Sequence, residues 1–331
     1  MSSDAAGVPP AVLAGRTGVI HDIGYRQYGG QRLGRPQIVR ALALDSLRTA
    51  FGLGRGVKAK IFPALLFALM CLPAVVSIAA MALNPGNGQL ISYDTYQSTL
   101  RPLVLLVFVA LQAPNLVSGD LRSHTLPLYF ARPISRSDYP IAKLIGFTMA
   151  CLALIEVPLL ILWVGTISQV HGARAVWHQT TEFGPGLLYG AAWAVLLASV
   201  GLVLASATGK RVFAICAVAI PLFVTWVLAT VLSHVALHTF QPVGSGAEPP
   251  ALASLAGLIN PFTVLNGLTD WLGSAPKITI FRNFGNGDGP GQLHQAHLVG
   301  HFGPLYGVMF AVMLVAAIGG LLARYRKVGI A

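Results

Sequence analysis

Few side chains in this 331-residue sequence are equipped for chemistry, because 10% of its residues are charged and 55% are hydrophobic. The most isolated is Glu156, set within the apolar run 144–167 and two residues before Pro158. A carboxylate in hydrocarbon is costly. It is either a functional group facing the interior of a helix bundle or a protonated, hydrogen-bonded structural residue beside a proline kink. Gln112 and Asn115 lie near the end of another apolar run, where amides either bond neighbouring helices together or line a translocation path. His294, His297 and His301 carry i, i+3, i+7 spacing, which puts three imidazoles on one helix face and suits a metal. No Cys or acidic residue completes that set, and Gly300 and Gly303 weaken the helix. Polar histidines at an interface are the alternative, and we assign no metal.

The densest charge lies in residues 119–143, GDLRSHTLPLYFARPISRSDYPIAK, which hold Asp120, Arg122, Arg132, Arg136, Asp138 and Lys143. This polar, turn-rich hinge separates two apolar segments and reads as a docking surface. Nothing in the sequence suggests a hydrolytic centre. No HExxH pattern or nucleophile–base spacing is present, and no G-x-x-x-x-G-K-[ST] loop occurs, since Gly209-Lys210 is followed by Arg211.

The elements that must position these residues follow from composition. A mean hydropathy of +0.69 lies far outside the soluble globular range. Spans are expected at about 61–83, 98–118, 141–167, 186–207, 212–236 and 304–323, with an external loop at 237–303. Each is close to the ~20 residues that cross a bilayer, and lipid requires every span to satisfy its own backbone hydrogen bonds as a helix. The expected fold is therefore an all-α integral membrane protein with six transmembrane helices. Pro73 and Pro114 predict kinks or local unwinding in the first two.

The formal net charge of +11 raises the question of nucleic acid, but the distribution of charge points to topology instead. With the N-terminus in the cytoplasm, 18 of the 22 Lys and Arg fall inside, leaving Arg101, Arg174, Lys277 and Arg282 outside. The excess predicts cytoplasmic N- and C-termini, with the hinge on the same side. Cys71, Cys151 and Cys216 all fall within predicted spans and read as packing residues rather than a disulfide framework.

Residues 1–35 read as a flexible cytoplasmic tail whose arginines either meet anionic headgroups or merely set topology. Residues 36–60 read as an interfacial helix and linker. Val39, Ala43, Leu47 and Ala50 form one stripe, with Leu44 and Phe51 beside it and Asp45, Arg48 and Thr49 facing away. Residues 61–331 form the transmembrane domain. Pro127 and Pro133 limit the hinge to a short helix lying across the membrane plane, and Ser135 or Ser137 is expected to cap the span that follows. Residues 251–272 are expected to form two short helices broken at Asn260-Pro261, either dipping into the outer leaflet before span six or capping its surface. Gly186 with Gly190, and Gly303 with Gly307, have the spacing of close helix contacts.

The hinge resembles the coupling-helix signature of type-2 ABC exporter permeases. In that family an acidic residue is followed by Thr-Leu, Pro-x-Ser-Arg and a Lys opening the third span. Here Asp120 stands for the more usual Glu, Thr125-Leu126 and Pro133-Ile134-Ser135-Arg136 follow, and Lys143 matches, while Ser123-His124 departs from the usual residue and Gly. Arg122 and Arg132 share the segment. The resemblance covers residues from about 36 to 331, including the six-span layout and the long loop before the last span.

It implies the membrane permease of an ATP-driven exporter in a bacterial cytoplasmic membrane, with neither enzymatic activity nor cofactor in this chain. ATP and Mg would belong to two separate ABC ATPase subunits docked on the hinge. A second permease copy or a similar permease would complete the assembly within the lipid bilayer, with no nucleic-acid partner. Gln112, Asn115 and Glu156 would then border the translocation path, and Asn260, Pro261 and Phe262 the outer gate. The competing readings are a membrane-embedded metal-dependent enzyme and a non-transporting assembly subunit.

Overall fold

The computed structural model describes residues 34–83, 101–122, 135–170, 172–238, 251–272 and 302–328. Their regular elements are all helices, with no strand among the described residues. In chain order the helices are α1 (Arg35–Ala50), α2 (Val57–Leu83), α3 (Arg101–Arg122), α4 (Asp138–Ile167), α5 (Ala173–Ala205) and α6 (Arg211–His238), then α7 (Ala251–Ala256), α8 (Pro261–Trp271) and α9 (Gly303–Val328). A 3₁₀ turn, Gly257–Ile259, joins α7 to α8. Six of them, α2 to α6 and α9, are long and apolar enough to cross a membrane. The chain is thus an all-helical, multi-pass membrane protein, as its composition requires.

Because the six long helices alternate in direction, one end of the bundle collects the starts of α2, α4 and α6 and the ends of α3, α5 and α9. We call it the basic end, since Lys58, Arg122, Lys143, Arg211 and Arg324 all belong to it. Of the six, α3 is the most buried, while α2, α6 and α9 keep outward apolar faces such as Leu65, Leu69 and Leu72 on α2 and Val308, Val312 and Val315 on α9. Aromatic side chains fill the interior. Phe108 of α3 lies between Phe51 and Phe147, at centroid distances of 5.9 and 6.0 Å.

Small residues let the helices approach. Gly146 of α4 has no room for a Cβ because the Ala43 carbonyl and the Ser46 side chain of α1 fill that space. Ser46 is buried there without cost to hydrogen bonding, since its hydroxyl donates to the Leu42 carbonyl at 2.7 Å. The expected α1 stripe faces inward, with Ala50 buried and Val39, Ala43 and Leu47 half-buried; Ser46 joins it, while Leu44, expected beside it, is exposed. Gly303 and Gly307 of α9 receive the Trp271 ring of α8, so their expected close contact is with a side chain.

The largest boundary difference from expectation is at the start of α5. The α5 helix begins at Ala173 rather than near residue 186 and runs through Pro185, so the polar stretch before the apolar run is helical as well. Pro73 in α2 and Pro114 in α3 sit inside continuous helices, and no unwound residue interrupts either. The break at Asn260-Pro261 falls where the sequence placed it.

Candidate functional site

The hinge of the sequence lies between α3 and α4, and its two flanks form a polar knot at the basic end. Asp120, near the end of α3, meets Lys143, one and a half turns into α4, with Nζ 3.1 Å from Oδ2. Tyr139, one turn before Lys143 on the same face, donates its hydroxyl to the same carboxylate oxygen at 2.5 Å. The Lys143 ammonium stands 5.5 Å from the Tyr139 ring centroid, and Tyr139 packs at 5.2 Å against Tyr325 of α9. Lys143 is buried and Asp120 about a quarter exposed. A cation this enclosed requires its partner, because removing one charge strands the other in a poorly hydrated site.

A second clamp lies beside the first. Arg35, the first residue of α1, makes a two-pronged contact with Asp138, the first residue of α4, with both N–O distances 2.7 Å. Its Nη2 also donates to the Ser135 hydroxyl at 2.9 Å. Asp138 precedes the apolar run beginning at Ile141, and the Arg35 guanidinium holds its carboxylate through charge-assisted hydrogen bonds. The capping differs from expectation, since neither serine hydroxyl caps α4. Instead the Asp138 carboxylate accepts the Ser135 backbone N–H at 2.8 Å, the return half of a capping box.

The hinge residues thus divide into two groups. Asp120, Ser135 and Lys143 are turned into the knot, whereas Arg122 and Arg136 are exposed and form no ion pair among the described residues. Thr125, Leu126, Arg132 and Pro133 lie outside the described residues. The neighbouring end of α5 is closed by its neighbours: Ser118 donates to the Ala205 carbonyl at 3.1 Å and Arg324 to the Ala207 carbonyl at 3.0 Å. Free carbonyls at a helix end are satisfied in this way from two other helices.

A different cluster occupies the interior toward the opposite end. The Glu156 carboxylate of α4 fills the space over Gly190 of α5, where a Cβ would collide with Oε1. Both carboxylate oxygens are enclosed and have no hydrogen-bond partner among the described residues. Arg101 is near enough for its charge to act on Glu156. Arg101 itself is 4% exposed and stands 4.8 Å from the Trp193 ring centroid. The sequence reading counted Arg101 on the outer side, within a span beginning near residue 98, but did not foresee its burial. Hydropathy gave no sign of its burial; the signal was a large aromatic, Trp193, three residues after Gly190 on the facing helix.

Asn260 and Phe262 border that cluster. The Phe262 ring packs 5.7 Å from Trp193. Asn260, fully buried, donates to the Leu222 carbonyl at 2.9 Å and to the Thr225 hydroxyl at 2.7 Å, while its Oδ1 accepts the Phe262 N–H at 2.8 Å. It is therefore the N-cap of α8 and a rivet to α6, with Pro261 in the first helical position. Gln112 accepts a hydrogen bond from the Asn115 amide at 2.9 Å, and both border a cavity nearer the basic end. The structure thus sets the groups read as a path and gate in two places: Gln112 and Asn115 border the cavity nearer the basic end, whereas Asn260 and Phe262 adjoin the cluster that holds Glu156.

His294, His297 and His301 lie outside the described residues. Among the described residues no three His, Cys, Asp or Glu side chains gather closely enough to hold a metal. Compared with known proteins, the chain matches no family model and no curated sequence.

Proposed function

We propose that this chain is the membrane permease of an ATP-driven exporter of the type-2 ABC class, driven by separate ATPase subunits that dock on the segment between α3 and α4. The observation that carries the reading is the Asp120–Lys143–Tyr139 knot. It pins together the two helices flanking that segment, one of which, α3, is the most buried in the bundle. A force applied to the hinge would be delivered to the bundle core rather than dissipated in a loop. Tyr325 brings α9 into the same knot, so three spans would move together.

Within this reading Arg122 and Arg136 are the residues offered to the motor, being exposed and uncommitted, while Asp120 and Lys143 transmit its motion. The basic end would face the cytoplasm of a bacterial cell, α1 would lie at its interface, and α7 and α8 would be the re-entrant pair closing the far side. Glu156 would border the route between them. A second copy or a similar permease would complete the pathway, and ATP and Mg would remain in the motor. Closure of the ATPases would shift a two-state bundle by favouring one hinge position over the other.

Co-purification from the native membrane tests the reading. A nucleotide-hydrolysing partner is expected with the parent chain. It should be lost from the Arg122→Ala/Arg136→Ala variant, which keeps the knot and hence the fold. Purification of the parent chain with no nucleotide-binding partner, or unchanged recovery of that partner with the double variant, would refute the proposed docking.

A further inference from the structure

At the basic end a cavity of about 550 Å³ opens between the α1–α2 loop, α3 and the start of α6. That volume is in the range of small-molecule sites. Arg55, Lys58 and Arg211 all line it, and no acidic residue does among the described residues. None of the three forms an ion pair or a side-chain hydrogen bond among the described residues, although Arg35 and Lys143 elsewhere at the same end are matched with carboxylates. Three like charges around one concavity repel one another and focus a positive potential into it, an arrangement that favours an anion.

The cations stand on a fixed frame. Helix α1 ends in a Schellman motif, with Gly52 N–H bonded to the Thr49 carbonyl at 3.0 Å and Leu53 N–H to the Arg48 carbonyl at 2.8 Å. Gly52 has φ +69°, and a Cβ there would collide with the Ala59 carbonyl at the start of α2. The loop is therefore locked against α2, and Gly54, at φ +85°, turns the chain again just before Arg55. On the α3 wall, Gln112 is 5% exposed, and its carbonyl accepts from Asn115. Its own NH₂ group is left as a donor beside the three cations.

The helix starts that carry two of these cations are of the opposite character. Val57 and Ile61 flank Lys58 in sequence at 75% and 59% exposure, Val212 and Phe213 follow Arg211 at 70% and 62%, and Phe62 lines the cavity itself. A soluble anion would use the cations and leave these apolar side chains unused. An amphiphile uses both. We propose that the cavity binds the phosphate of an anionic membrane lipid, with Arg55, Lys58, Arg211 and Gln112 holding the headgroup and the acyl chains lying along the starts of α2 and α6. The site is separate from the hinge and does not depend on the identity of the motor.

The test uses the full chain reconstituted in phosphatidylcholine nanodiscs doped with phosphatidic acid, with retained lipid counted by native mass spectrometry and affinity measured with a fluorescent phosphatidic acid. A charge-assisted hydrogen bond to the headgroup phosphate is worth about tenfold in affinity, so Arg55→Gln, Lys58→Gln and Arg211→Gln should each weaken binding about tenfold. Gln112→Leu should weaken it without changing net charge. All three cations are exposed, and unchanged melting of the variants will show that the fold survives. A control triple variant, Arg48→Gln/Lys60→Gln/Lys327→Gln, removes three charges from outside the cavity and should change affinity less than twofold. Equal loss in the control would overturn the proposal in favour of general surface charge. Displacement of bound phosphatidic acid by equimolar inorganic phosphate would overturn it in favour of a soluble anion, and equal retention of phosphatidylcholine would overturn the anionic headgroup.

Discussion

Lys143 shows how one residue can belong to two readings at once. By sequence it opens a span and counts as a topology-setting charge. In the structure it is buried against Asp120 and the Tyr139 ring. Truncating one member of a buried pair costs about 3–5 kcal/mol, and because Asp120 is partly hydrated the Lys143→Met variant is expected near the lower figure. Adding Asp120→Asn should recover part of the loss, since the stranded carboxylate is then neutral. Melting of the two single variants and the double variant in detergent forms the cycle. Strictly additive losses would mean that the two charges do not interact across the flanks of the hinge. Arg101 teaches a complementary lesson. A lone cation at the edge of an apolar run averages away in any hydropathy window, so only the Trp193 face and the neighbouring carboxylate reveal that it is inside.

The long helices themselves were legible, because lipid forces every span into a helix and a run of about 20 apolar residues leaves little freedom in where it lies. Their ends and faces were less so. The start of α5 was hidden by Trp177 to Glu182, a polar stretch that reads as loop but continues the helix past the apolar run. On α1 the inward stripe was legible but Ser46, its other buried residue, was not, because serine counts as polar on any hydrophobicity scale. Its bond back to the Leu42 carbonyl removes that polarity, and its small size lets α1 reach Gly146. This contact sets a test of whether α1 is an integral part of the bundle or only rests on a membrane surface. In Gly146→Val the added atoms meet backbone, which cannot swing aside like a flexible side chain. The two helices must separate, at a cost of about 1–3 kcal/mol. We expect a lower melting temperature together with faster proteolysis of the α1–α2 loop. A variant as stable as the parent would show that α1 is held by the Arg35–Asp138 clamp alone.

At the scale of the whole molecule, charge and packing divide the chain in the same way. Among the described residues, Arg101 and Arg174 are the Lys or Arg that belong to the end opposite the basic one, and Arg101 is buried. Ion pairs and aromatic packing together assemble the basic end: Arg35 with Asp138, Asp120 with Lys143, Tyr139 with Tyr325, and Arg324 with the carbonyl after α5. A six-span bundle built this way has one polar end that stays where it is inserted, and the excess of cations predicts that this end is cytoplasmic. Cysteine scanning can decide the point in a background where Cys71, Cys151 and Cys216 are replaced. A membrane-impermeant maleimide added to intact cells should label Trp177→Cys and Leu272→Cys, both exposed beyond the opposite end, and should leave Arg55→Cys, Arg136→Cys and Lys210→Cys unlabelled until the cells are opened. The reverse pattern would turn the bundle over. It would leave the knot and the lipid cavity intact as structures but put both beyond the reach of cytoplasmic ATP, so the motor-driven reading would fall while the headgroup site could still be tested in the other leaflet.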